Sequence, residues 1–305
     1  MSPSFPEVGI GESMCCERLS VFPLYSQYPL FRPGYVLAHE ALASGHLFVR
    51  EVSSVGSIPD LLVENRGDMP CLLLEGTELR GQRQHRMLNT TALVGGRSEA
   101  RISVSCVEHG RWRQKSPQSS AGSHCPPSLR ALLKGSASSR RRGLGSSQIA
   151  LWSDIRRRHR AMGVASTTED LSAALEAHRE RVEQVQKRLP YPRSANGVAV
   201  ALGGRLVSID LLGSPATLEK VWPQVTEGFA LDAIEPRDTG GEVTAREVSA
   251  ALERMRGLPW QPVEPIGLGD EWRAEDEGML AGALFFSGAM LHASASFVRA
   301  PGESS

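Results

Sequence analysis

Between Glu75 and Thr91 the chain reads Glu-Gly-Thr-Glu-Leu-Arg-Gly-Gln-Arg-Gln-His-Arg-Met-Leu-Asn-Thr-Thr, the densest polar run of a 305-residue sequence. Such side chains offer donors and acceptors at short spacing, and the planar guanidinium matches carboxylate or phosphate. In extended backbone alternate side chains share a face, so Gln82, Gln84 and Arg86 project together, with Arg83 and His85 opposite. That chemistry suits a small anionic or nucleotide-like ligand. Arg86 would clamp a phosphate, and Gln84 and Asn89 would orient the ligand. Glu75 and Glu78 are the candidate catalytic residues, because neighbouring carboxylates can split their pKa values and divide acid and base roles. Cys106 and Glu108 are secondary candidates. The plainer reading is an edge hairpin of solvated side chains turning at Gly76 and Gly81, with Glu108 and Arg111 a structural pair beside a buried Trp112.

Other spacings exclude more than they suggest. Cysteine phosphatases need Cys-x5-Arg, and Arg111 follows Cys106 one residue too soon, as Arg130 does Cys125. Cys106-x-x-His109 and His124-Cys125 lack the second pair of a structural zinc site, so no metal is expected. The Gly-Gly pairs at 95–96, 203–204 and 240–241 have neither dinucleotide-fold nor Walker spacing, so no cofactor is expected. Positive charge concentrates at Arg140–Arg142 and Arg156–Arg160, while Asp210–Glu277 is acidic. No aromatics are interleaved for base stacking, which argues against nucleic acid; the plainer reading is a solvated loop and the exposed face of a helix, or an internal match to the acidic half.

The run Leu-Leu-Leu-Glu-Gly-Thr-Glu-Leu-Arg-Gly into Asn-Thr-Thr-Ala-Leu-Val, followed by Ile-Ser-Val-Ser-Cys-Val-Glu-His-Gly-Arg-Trp, resembles the signature of the ARG and Rhodanese-Phosphatase-superfamily-associated Protein domain, the ARPP family. The matching positions are Leu79, Gly81, Gln84, Arg86 and Asn89, then Val104 to Glu108 and Gly110 to Trp112, with Leu42, Gly45, Glu51 and Asn65 upstream. The likeness runs from about Pro29 to Phe297. His85 stands where the pattern has Asn, and Lys115–Ser147 is longer and richer in Ser and Arg than the pattern. The resemblance implies a link to ADP-ribose or other NAD-derived metabolites. Two function classes follow: a small-molecule enzyme or binder, or a non-catalytic scaffold beside such enzymes.

These residues must be positioned by an ordinary globular core. Apolar residues make up 41% and charged residues 22%, with 34 bases balancing 34 acids, which excludes a wholly disordered chain. No apolar run approaches a membrane span, no signal peptide is visible, and five cysteines form no disulfide framework, so a cytoplasmic protein is expected. Short alternating segments between His46 and Val107 predict antiparallel strands, a meander or sandwich; Ile102, Val104 and Cys106 would share one face. Helices are predicted at 35–45, 148–162, 168–189, 218–234 and 244–255, a hairpin across Gly203-Gly204, and two closing strands near 283–298. Ser166 and Glu169 read as a capping box, and Pro223 as tolerable only in a first turn. The fold class is therefore α+β: an antiparallel, β-rich N-terminal part packed with C-terminal helices and closing strands. One domain over 21–300 is expected, with a flexible arm at 1–20, a poorly ordered basic loop at 115–147 and a tail at 301–305.

Overall fold

Gly203 and Gly204 both take positive φ, 54° and 77°, the backbone of a two-residue hairpin turn. Strands Gly197–Leu202 and Arg205–Leu212 accordingly pair antiparallel across it. The computed structural model describes residues 3–26, 34–52, 60–81, 84–110, 119–141, 146–237 and 240–298. Among these residues the hairpin lies within a nine-stranded antiparallel sheet. Its order is Val8–Ile10, Leu19–Ser26, Gly197–Leu202, Arg205–Leu212, Ala289–Phe297, Met279–Phe286, Asp270–Glu275 and Gln261–Val263, with Met14–Cys16 also pairing Leu19–Ser26. Two smaller sheets carry the polar motif. One runs Ser120–His124, Thr77–Arg80, Arg86–Leu88, Ser98–Cys106, Asp60–Asn65, Leu47–Glu51. The other runs Ala92–Val94, Cys71–Leu73, Val36–Leu37, its last pair parallel.

Packing follows alternation along the strands. Val198 and Val200 face a core built with Leu133, Ile155, Trp222 and Phe229 from the helices, whereas Ala199 and Ala201 face another with Val248, Leu252 and Met255. Gly197–Leu202 is thus buried on both faces, which is why it reads as an unbroken apolar run. A third core joins the smaller sheets through Leu61, Val63, Leu73, Leu79, Leu88 and Val104. The fold is α+β, as the sequence predicts.

Four local expectations are corrected. The N-terminal arm is not free: Val8–Ile10, Met14–Cys16 and Leu19–Ser26 are strands of the large sheet. The basic loop at 115–147 contains strand Ser120–His124, a 3-10 turn at Pro127–Leu129, helix Arg130–Arg141 and the start of helix Ser146–Ala161. The sequence reads as a short helix only over Ser128–Leu133, and beside the buried Leu133 the longer helix buries two cations, Arg130 and Lys134. The helix over 168–189 is two, Leu171–Ala177 and Arg179–Arg188. Glu169 has φ +48°, outside the helical region, and the cap is Asp170, whose carboxylate accepts from the Ser172 N–H. Helix Pro215–Ile234 holds Pro223 in its interior, not its first turn, and the Gln186 amide donates to the Pro223 carbonyl at 2.9 Å. A Thr244–Glu247 capping box opens helix Ala245–Arg256, where the sequence predicts a helix over 244–255. Residues 301–305 lie outside the described residues.

Candidate functional site

The motif turns twice, and each turn sends a carboxylate a different way. Gly76 has φ +83°, and a Cβ there would stand 2.6 Å from the His124 ring, so only glycine fits between strand Cys71–Leu73 and strand Thr77–Arg80. Glu75 precedes this turn and points to the large sheet; Glu78 follows it and points away. Among the described residues their carboxylates enter different hydrogen-bond networks, Glu75 with Arg130 and Lys134, Glu78 with Arg80 and Ser123.

Glu75 anchors a buried charge network drawn from three parts of the fold. Helix Arg130–Arg141 brings Arg130, which donates to Glu75 Oε1 at 3.0 Å, and one turn later Lys134, which donates to Oε2 at 2.5 Å. Arg130 also donates to Asp210 of strand Arg205–Leu212, whose register places Asp210 opposite Ser294. Ser294 accepts from Lys134 Nζ at 2.7 Å. His292, on the same strand as Ser294, has Nε2 3.0 Å from Asp210 Oδ1 and Nδ1 2.7 Å from Thr91 Oγ1. The Glu75 N–H closes the loop onto Thr91 Oγ1 at 3.0 Å. Burial alone would raise the Glu75 carboxyl, but Lys134 and Arg130 hold it at about 2. Asp210 is held far below the usual carboxylate range against burial by Arg130 and His292. Burial pulls the Lys134 ammonium below 10.5, although Glu75 resists.

Asp210, His292 and Thr91 stand in the order of an acid–base–hydroxyl triad. The hollow beside Thr91 and His292 is only about 10 Å³, little more than a water occupies, and Thr91 Oγ1 already accepts a backbone N–H. No acyl substrate fits there. The open side of the network is elsewhere: Glu75 and Lys134 line a cleft of about 320 Å³ with Asn89, Thr90, Gln261 and Arg273. Gly282 is part of its wall, and a Cβ there would sit 3.7 Å from Lys134 Nζ. Glu271 accepts from Arg273 at 2.6 Å and from the Thr90 hydroxyl at 3.2 Å.

Compared with known proteins, residues 7–296 of the chain match the model of the ARG and Rhodanese-Phosphatase-superfamily-associated Protein domain. The chain belongs to the ARPP family. No curated relative and no solved structure matches it. The ARPP motif resembled in sequence therefore sits on the hairpin beside these clefts, and its other residues can be placed.

Asn89 lines the 320 Å³ cleft, but its amide also donates to Ser103 Oγ at 3.0 Å and accepts from Ser105 Oγ at 2.7 Å. Gln84 and Arg86 do not line that cleft; both are buried. Arg86 donates to the Cys106 sulfur and lies 3.5 Å from Glu51, and the Cys106 thiol donates to Gln84 at 3.3 Å. Glu108 accepts from the His85 N–H at 3.0 Å. The expected polar surface is thus an interior: hydrogen bonds between motif residues replace water. Gln82, Arg83, Arg111 and Trp112 lie outside the described residues. The basic run at 156–160 is largely matched internally, with Arg158 fully buried against Asp232 and Glu235 at 3.0 and 3.1 Å. Among the described residues no helix is long and apolar enough to cross a membrane. Sequence reasoning missed Arg130, Lys134, Asp210 and His292, which share no local motif and meet only through the sheet register and one helix.

Proposed function

We propose that the chain binds a small anionic, nucleotide-like metabolite of the ADP-ribose type in the 320 Å³ cleft and acts on it through Lys134. One observation carries the reading: a buried ammonium–carboxylate pair, Lys134 and Glu75, opens onto a cleft of ligand size. An ammonium has three donors, and Glu75 and Ser294 take two. The third serves a ligand oxygen, and an ammonium loosened by burial is the better proton donor to a departing group. Glu75, held at about 2, is a poor base. It instead stays ionised and favours positive charge developing on a ribosyl carbon. Arg273 supplies a guanidinium for phosphate, and Pro259, Val263 and Leu280 supply apolar wall. The family's name, which records association with ARG and rhodanese-phosphatase proteins, supports the choice of metabolite class. Five free cysteines suit a reducing cytoplasm.

A thermal-shift titration with ADP-ribose, NAD and inorganic phosphate tests this, followed by product analysis. ADP-ribose should raise the melting temperature saturably, by ~2.7 kcal/mol of stability at 100 times its Kd. Arg273→Gln should blunt the shift. No response to any of them, or an unchanged response in the variant, would sink the reading. The second reading is a non-catalytic scaffold, favoured by Gln84 and Arg86 spending their polar groups on protein partners. A chain that fails the titration would be that.

A further inference from the structure

We propose that Glu78, His85 and Asp170 bind one divalent transition-metal ion of the Mn²⁺/Zn²⁺ class, at a site separate from the Glu75 cleft. The three residues come from different places: Glu78 from strand Thr77–Arg80, His85 from the approach to strand Arg86–Leu88, and Asp170 from the cap of helix Leu171–Ala177. Each offers one ligand atom, and these atoms lie within 4.8 Å of one another. His85 Nδ1 is 3.1 Å from Asp170 Oδ2 and 3.6 Å from Glu78 Oε1, with Glu108 Oε2 at 4.0 Å. The two His85 separations are those of ligands standing ~2.0–2.2 Å from a common centre, and a small side-chain adjustment brings the third atom within the same reach.

A second observation points to an occupant. Glu78 Oε1 is buried and has no hydrogen-bond partner among the described residues, and His85 Nδ1 faces the Asp170 carboxylate. The Glu78 side chain is 0% exposed and that of His85 7%. A buried carboxylate oxygen without a partner is costly. Yet the other Glu78 oxygen is fully engaged, accepting from Arg80 Nε at 2.8 Å, Ser123 N at 3.1 Å and Ser123 Oγ at 3.2 Å. Asp170 is fixed by Ser172, through its N–H at 3.1 Å and its hydroxyl at 2.6 Å. Glu108 fixes the His85 backbone. The outer partners of a metal site are present, and they aim the free atoms at one point.

Glu78 and Asp170 bring two carboxylates to the site, with Arg80 paired to the outer Glu78 oxygen. One imidazole nitrogen with carboxylate oxygens suits borderline ions; all-oxygen cages suit Mg²⁺ and Ca²⁺. His85 also lines a cleft of about 840 Å³ with Arg80, His39 and Ser120, so the remaining coordination positions can take water.

The test uses the full chain, stripped with chelator. Titration with Mn²⁺, followed by loss of the free-ion EPR signal, and with Zn²⁺ by calorimetry should each show one ion per chain. Glu78→Gln and His85→Asn should weaken binding by roughly 100-fold or more. Arg273→Gln should bind as the unaltered protein does, which keeps this result distinct from the ligand test of the other cleft. No binding, or equal binding in all variants, overturns the site. Should the variants fail to fold, zinc absorption spectroscopy on the unaltered protein decides: a shell of nitrogen and oxygen with one imidazole supports the assignment, and any sulfur ligand overturns it.

Discussion

Glu75 and Glu78 stand on either side of one glycine turn, both are buried, and their electrostatic fates are opposite. Glu75 meets Lys134 and Arg130, and its carboxyl is held at about 2. Glu78 meets a single guanidinium, an imidazole and further carboxylates, and burial wins, so its carboxyl rises. Burial by itself therefore says little about a carboxylate. The number of cations that the surrounding fold delivers to it decides. Around Glu75 the large sheet and one helix deliver a closed network; around Glu78 the smaller sheet delivers one guanidinium, Arg80.

The sharpest way to break the contrast is to remove a cation from the closed network. Arg130→Met leaves Glu75 and Asp210 short of a partner in the interior, and should cost ~3–5 kcal/mol in urea denaturation. A loss below ~1 kcal/mol would mean that the network is not a unit. Next comes the acid limb. Glu75 goes from 4.5 to about 2 on folding, so its contribution is complete above pH 4.5 and is lost as pH falls toward 2. That contribution is on the order of 3 kcal/mol, and stability–pH curves of Glu75→Gln should lack it. Glu78 has the other sign. In metal-free protein its raised carboxyl makes stability fall as pH climbs above 4.5, and Glu78→Gln should flatten that slope. Parallel curves for the two variants would erase the distinction.

Arg86→Lys sharpens what the motif's arginine does. Its guanidinium bridges the Cys106 sulfur and the Glu51 carboxylate, a span an ammonium does not reproduce. Loss of ~1–3 kcal/mol by thermal unfolding is expected. An unchanged melting temperature with weakened ligand binding would restore Arg86 to the ligand. Ser294→Ala should have the smallest effect, ~0.5–1.5 kcal/mol, since it removes a hydroxyl that accepts from Lys134 and donates weakly to Glu75 and leaves the ion pair.

The fold class was legible because period-2 alternation and glycine turns are local signals, as at Ile102 and Val104 or Gly203 and Gly204. Helix Arg130–Arg141 was legible only in part, as a short helix over Ser128–Leu133, and the burial of Arg130 and Lys134 was not. The N-terminal strands were hidden by Pro, Gly and Ser in a segment whose pairing partner, Gly197–Leu202, is remote in sequence. The residues of the polar motif were expected to meet water, and Gln84, Arg86 and Asn89 are buried. Whether a polar residue faces solvent or a buried partner depends on tertiary context, and Ser105, inside a strand read as half-solvated, reaches Asn89 instead. Asp210 and His292 became site residues only through strand register, where Asp210 lies opposite Ser294.

The large sheet has a consequence for how the protein is made. Ser294 and Glu75 are separated by 219 residues, and at ~5–20 residues per second a ribosome needs roughly 10–40 s to add them. Until then the Arg205–Leu212 strand has no Ala289–Phe297 neighbour, Asp210 lacks His292, and Lys134 lacks its serine. The strand that closes the sheet is also the strand that completes the charge network. A nascent or prematurely terminated chain would hold an unfinished, ionised interior and an open sheet edge at once, the state that chaperones and proteases recognise. One strand near the end of the chain therefore closes the sheet and the charge network together.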